Sequence, residues 1–128
     1  MWDARDWRGY FSLCAPEAVF IDERRDSAGR VTRDVEGVEQ SRRSAEAIFA
    51  KIASFRETSA IDRIAIASDG QSATVWGHER ATFSRGSQRR ERCAATETNL
   101  VLRGGRALLL QEIDRGQACP KPTGHIAP

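Results

Sequence analysis

The sequence predicts an α+β fold in which a strongly bent, mixed or antiparallel sheet is wrapped around N-terminal helices. Three observations predict it. Apolar residues at helical spacing occur only before Phe55, whereas strict alternation dominates after it. Glycine-bearing turns punctuate the second half at Ser68-Asp69-Gly70-Gln71, Arg85-Gly86-Ser87 and Gly104-Gly105. With 128 residues the chain is sized for one compact domain and no second core. That domain is expected over residues 1–116. Residues 117–128 form a tail that holds three of the four prolines and is expected to be extended or disordered, outside the sheet.

The elements follow in order. Trp7, Tyr10, Phe11 and Cys14 fall at i, i+3, i+4 and i+7, one stripe of an amphipathic helix over Trp2–Leu13 that Pro16 ends. Residues 18–25 (AVFIDERR) and 30–36 (RVTRDVE) flank Asp26-Ser27-Ala28-Gly29 as a hairpin. Its first strand places Ala18, Phe20 and Asp22 on one face and Val19, Ile21 and Glu23 on the other. Ala45, Ile48, Phe49, Ile52 and Phe55 then mark a second helix between Gly37 and Phe55. Strands follow at residues 61–67, 72–84, 88–103 and 106–114, the last being the most apolar. On 72–84 the Ala73, Val75, Gly77, Ala81 and Phe83 side also carries Glu79, opposite a side with Trp76, His78 and Arg80. The expected core is Phe20, Ile48, Phe49, Ile52, Phe83, Leu100 and Leu109.

Composition excludes several classes. Apolar residues make up 40%, charged residues 30%, and mean hydropathy is −0.52, the values of an ordinary globular chain rather than a disordered or membrane-spanning one. Twenty basic against 18 acidic residues give a net charge of +2, so no nucleic-acid partner is expected, although 18 of the cations are Arg. Cys14, Cys93 and Cys119 match no metal-ligand spacing and lie far in sequence from His78 and His125, so no metal is expected. They read as idle thiols of a reducing compartment, or as a bond from Cys119 to Cys14 or Cys93. Polar residues follow Met1 directly, which favours a cytoplasmic location and leaves a periplasmic or secreted one open if an N-terminal segment has been removed. No phosphate-cradling loop or triad phrase is present, and no cofactor is expected.

The phrases CAPEAVFID after the first helix, Gly37 opening the long helix, SDGQSATVWG at a hairpin and ETNLVLRGGRALLLQEID closing the sheet carry a resemblance. Over roughly Asp3 to Asp114, the chain resembles the nuclear transport factor 2-like superfamily and, within it, the SnoaL-like small domains. The resemblance implies a cone-shaped, cystatin-like roll with a pocket at its open end. Members include isomerases, dehydratases, cyclases, epoxide hydrolases and binding or dimerisation domains, so function must be argued from the site.

Set against the ketosteroid isomerase pattern, the base falls on Asp22 and the helix tyrosine on Tyr10, while the third position falls near Thr98, a hydroxyl in place of an acid. Asp22 and Tyr10 are therefore the catalytic candidates, for proton abstraction beside a carbonyl. In the alternative, Asp22 is solvated or paired with Arg24, and Tyr10 is a core residue. Epoxide hydrolases of the superfamily place a cation between two carboxylates. Glu79 is the corresponding unusual residue here, with Glu97 and Glu112 on later strands and Arg92 as a bridging cation; pairing of Glu79 with an arginine at the cone mouth is the expected state. Trp7, Phe11, Phe20, Phe49, Glu79, Thr96 and Thr98 are the candidate ligand-binding residues. The expected partner is a small hydrophobic molecule, bound with or without isomerase, dehydratase, cyclase or epoxide hydrolase chemistry. A second copy of the chain is expected on the outer face around Trp76, His78 and Arg80, where an aromatic beside an arginine resembles an interface anchor.

Overall fold

The structure, a computed structural model, describes residues 7–121. Its elements are α1 (Trp7–Ser12), β1 (Cys14–Arg25), β2 (Val31–Gly37), α2 (Val38–Phe49), β3 (Ser54–Ile66), β4 (Ser72–Arg85), β5 (Gln88–Arg103) and β6 (Arg106–Gln117). All six strands form one sheet in the order β2-β1-β6-β5-β4-β3. Every neighbouring pair is antiparallel except β1 and β6, which run parallel. The fold is α+β with a mixed sheet, and the most apolar strand, β6, sits near its centre, where neighbours cover both edges. The turns use their glycines as expected: Gly104 and Gly105 both have positive φ, at 57° and 76°, as a two-residue hairpin loop demands.

Several element bounds differ from those the sequence suggests. β1 starts at Cys14, and Pro16 lies inside it instead of marking a helix end; the missing N–H is accommodated where the register with β6 shifts between Cys14 and Val19. The helix of the second stripe stops at Phe49. Ala50 and Lys51 close its last turn onto Glu46 and Ile48, and the chain then leaves to pair Phe55 of β3 with Phe83 of β4. Phe55 still meets Phe49, edge to face at 5.3 Å, so the helical spacing reported a shared contact rather than a shared helix. β3 begins at Ser54, seven residues earlier than expected, and is bent by a bulge between Ile61 and Arg63. Opposite that bulge a side chain at Gly77 would run into the Ala60 carbonyl oxygen, so only glycine fits.

The tightly buried apolar residues are small or few: Ala15, Ala18, Cys93, Ala94, Leu109 and Ile113. Leu109 is core as expected, whereas Phe20, Phe49, Ile52, Phe83 and Leu100 are half-buried. Ile48 is 55% exposed and is not core. The reason is geometric: α2 packs on β1, β2 and α1 at one side of the sheet and leaves a hollow between itself and β3 to β5.

The outer face is knit by charges. Arg33, Glu23, Arg115 and Glu97 form a ladder across β2, β1, β6 and β5 with contacts of 2.9, 3.6 and 3.2 Å. Glu97 therefore lies on the side away from Glu79 and is not its neighbour. Trp76 carries Arg63 at 4.0 Å over its ring, His78 meets Asp62 at 3.0 Å, and Arg80 meets Glu91 at 2.9 Å. The residues expected to anchor a second copy are thus each engaged within the chain.

The three cysteines are not all idle thiols: Cys93 is bonded to Cys119, one of the two pairings left open by the sequence, and Cys14 is free. The bond ties the start of the tail to β5 across a sequence separation of 26, a loop whose closure stabilises a fold by about 3 kcal/mol. The rest of the expected tail, residues 122–128 with His125, lies outside the described residues, as do residues 1–6 of the expected first helix. No helix among the described residues is long and apolar enough to cross a membrane.

Candidate functional site

Strand register assembles the concave face row by row, because paired residues share a face. One row runs Glu36, Phe20, Glu112, Thr98 and Val75; the next runs Asp34, Asp22, Asp114, Thr96 and Gly77. Beyond them Ala94 stands opposite Glu79, Ala81 lies between Arg92 and Glu57, and Phe83 lies between Arg90 and Phe55. With α1 and α2 lying over these rows, a half-open cavity of about 610 Å³ is formed. All five phenylalanines of the chain and its only tyrosine line it: Phe11, Phe20, Phe49, Phe55, Phe83 and Tyr10. Tyr10, Phe11 and Phe20 pack as one cluster with ring centroids 5.3 to 6.3 Å apart.

Of the two catalytic candidates, both line the cavity, but different partners hold them. The Tyr10 hydroxyl donates to Glu112 Oε1 at 2.7 Å. Burial, with Glu112 beside it, drives the phenol far above its ordinary pKa, so it is a neutral donor. Asp22 accepts from Arg24 at 2.8 Å, and Arg92 stands 3.9 Å away. Phe11, Phe20, Phe49 and Glu79 line the cavity, while Thr96 and Thr98 share its face without being part of its lining. The Trp7 side chain lies outside what is described. Glu79 departs from the expected pairing: Arg92 is turned toward Asp22, and no ion pair reaches Glu79 among the described residues. Burial, reinforced by Glu57 and Glu112 and opposed by Arg92, raises its pKa to about 7.

The acid absent at Thr98 stands on the neighbouring strand. Glu112, directly opposite Thr98, receives the Tyr10 hydroxyl, and Asp114 stands two residues on, opposite Thr96. Burial raises both carboxyls well above the usual range, and each acts on the other. Two adjacent carboxyl groups withdrawn from water cannot both ionise, so the pair keeps a proton. Asp114 Oδ1 is buried with no hydrogen-bond partner among the described residues. Glu57, half-buried in the same cavity, is raised too, by burial first and Glu112 second. Sequence reading noted Glu112 only as a neighbour of Glu79 and passed over Asp114 and Glu57. The available signal was two acids at alternate positions in the most apolar strand.

No protein-family model matches the sequence, and no curated protein matches it. Among solved structures the chain is similar to a ketosteroid isomerase-like protein from Erwinia carotovora atroseptica, with a TM-score of 0.69 at 12% identity over 91% of this chain and 85% of that one. It is also similar to the beta subunit of benzoate 1,2-dioxygenase from Burkholderia mallei (TM-score 0.64, 12% identity, 88% and 78% covered). A protein from Nostoc punctiforme with a cystatin-like fold gives a TM-score of 0.58 at 15% identity, with 90% and 79% covered. The chain thus has the nuclear transport factor 2-like, cystatin-like α+β fold.

The raised carboxyls set the pH dependence of stability. Glu79, Glu57, Glu112 and Asp114 hold protons in the folded protein at pH values where the unfolded chain has lost them, so unfolding releases protons and stability falls as pH rises. Glu17, Asp26, Glu39 and Glu91 are lowered, chiefly by arginine or backbone hydrogen bonds; their opposite contribution is lost only in acid, below about pH 4.5. The melting temperature is therefore expected to drop from about pH 5 to about pH 8, and Glu79→Gln to flatten the part of the slope below about pH 7. Calorimetry showing a flat or rising profile over that range contradicts the buried protons.

Proposed function

We propose that the domain binds a small, largely apolar molecule in the hollow of its cone. The observation that carries this is the collection of all five phenylalanines and the only tyrosine around one cavity. The rings pack on one another in two groups, Tyr10–Phe11–Phe20 and Phe49–Phe55, yet none of them is fully buried. They are half-buried around open space, and each aromatic left partly wet forgoes on the order of 1 kcal/mol that an apolar guest would recover. The cavity falls within the range of about 300–1,000 Å³ typical of small-molecule sites, and its polar groups come from all six strands and both helices. A bound cofactor is not needed for this reading. The Cys93–Cys119 bond supports an oxidising compartment, the location the sequence left as its second choice.

Titration with 1-naphthalenemethanol, a neutral fluorescent probe, is expected to show one saturable site. Ala81→Trp, which fills the floor between Glu57 and Arg92, should weaken it at least about tenfold while leaving the circular dichroism spectrum unchanged. Absence of binding, or binding indifferent to Ala81→Trp in a folded protein, sinks the reading.

A second reading, proton transfer on a small carbonyl compound, is favoured by one observation: Asp22 stands abreast of the proton-holding Asp114 in the cavity that also holds Tyr10. In it, Asp22 is the base, freed or oriented by Arg24, while the neutral Tyr10 and the Glu112–Asp114 proton face the developing negative charge. Any turnover found in a screen of cyclic ketones should fall at least about a hundredfold in Asp22→Asn with the naphthalene probe still bound. Retained turnover removes Asp22 from the role.

A further inference from the structure

We propose that the guest of the cavity carries a cationic amine on its apolar body, with Glu57 and Glu79 receiving the ammonium group beside a wall made by Phe49, Phe55 and Phe83. This rests on the cavity reading above and names its ligand class.

The carboxyls of the cavity outnumber its cations. Its lining includes the carboxyls of Asp22, Asp34, Glu36, Glu57, Glu79 and Asp114 against only two cations, Arg24 and Arg92. Both arginines are directed at Asp22, the first at 2.8 Å and the second at 3.9 Å. Glu36 accepts the hydroxyls of Ser41 and Ser44 at 3.1 and 2.9 Å, and Asp114 shares its proton with Glu112. Asp34 is exposed at the rim and acts on Arg24, which leaves Glu57 and Glu79 as the half-buried carboxyls without a partner of their own among the described residues. Neither has a hydrogen bond or ion pair among the described residues, yet both reach the cavity.

Their setting suits an organic cation rather than a bare ion. Glu57 is paired across the sheet with Ala81, and Glu79 with Ala94, so small side chains leave headroom above both carboxyls. One row further, Phe55 stands opposite Phe83, and the Phe49 ring meets Phe55 at 5.3 Å. Ring faces attract cations, and an ammonium there meets two carboxylates on one side and aromatic surface on the other. An anionic guest of the same shape would face uncompensated repulsion.

Proton linkage gives the inference its signature. The charged or titratable groups acting on Glu79 are Asp22 of β1, Glu57 of β3, Arg92 of β5, and Glu112 and Asp114 of β6, while Tyr10 of α1 and Arg24 of β1 also line the cavity. β2 adds Asp34 and Glu36 to the lining, and α2 adds no charged side chain to it. Since burial holds Glu79 near pH 7, an amine bound below that pH must first displace a proton. Affinity for the amine should therefore rise with pH through about 7, whereas a neutral isostere should show no such rise.

Calorimetric titration of the full chain with 2-phenylethylammonium, 2-phenylethanol and phenylacetate, at about pH 5 and about pH 8, tests this. The ammonium is expected to bind at least about tenfold more tightly than the alcohol at the higher pH, to lose most of that advantage at the lower one, and to leave phenylacetate weakest. Glu57→Gln and Glu79→Gln should each cut the ratio of ammonium to alcohol affinity, with an unchanged circular dichroism spectrum reporting that the fold is intact. Equal binding of alcohol and ammonium, or tightest binding of phenylacetate, overturns the inference and leaves the cavity reading standing. An ammonium preference that survives both substitutions overturns the assignment to these two residues. If none of the three probes binds, both readings fall.

Discussion

Two carboxyl groups buried side by side on the most apolar strand, with one proton between them, set the terms for the concave face. Glu112 and Asp114 lie in successive rows under α1, and Tyr10 caps the first of them through a 2.7 Å hydrogen bond. Remove that proton and two like charges face each other where water cannot screen them. Keep it, and α1 has a polar anchor on β6 joining residues 102 positions apart in the chain. The same burial raises Cys14 to about 11, so the free thiol at the start of β1 stays protonated beside this network.

A second constraint is the distribution of bulk. Alanines, a cysteine and a few aliphatics fill the tightest positions, while the aromatic rings stand around open space. Stability must then come from the sheet itself: six strands in one hydrogen-bonded array, a charge ladder on the outer face, and a disulfide that fixes the end of β6 to β5. Exposed ion pairs contribute little individually. The ladder gains by being continuous across four strands, with the half-buried Glu23 meeting both Arg33 and Arg115. The outer face and the disulfide hold the sheet, while the inner face surrounds the cavity.

Much of the architecture was legible because local chemistry dictated it. Glycines at positive φ marked the turns, and the alternation of Ala18, Phe20 and Asp22 aimed the correct face of β1 inward. The parallel pairing of β1 with β6 was not legible, since the partner of an edge is chosen by tertiary packing. Pro16 misled for the same reason: its missing N–H matters only where a neighbouring strand demands it, and the register shift there removes the demand. Asp22 and Tyr10 line one cavity, as the strand alternation and the helical stripe imply, but their partners were not legible. Arg24 is local to Asp22 and was foreseen as an alternative, whereas Glu112 reaches Tyr10 only once the chain has closed the sheet. Carboxyls at 112 and 114 in a run of leucines and isoleucine were a visible conflict between pattern and polarity, and such conflicts concentrate at sites of function.

The shared proton can be observed directly. At about pH 8 Glu79, near 7, is mostly ionised, so an infrared band from a protonated carboxyl at that pH must come from a more strongly raised group. The band is expected in the native protein, to persist in Asp22→Asn and Glu79→Gln, and to vanish in Asp114→Asn, where Glu112 can ionise against the Tyr10 hydroxyl and the new amide. A spectrum with every carboxyl ionised at about pH 8 would contradict the buried proton and, with it, the arrangement of the concave face.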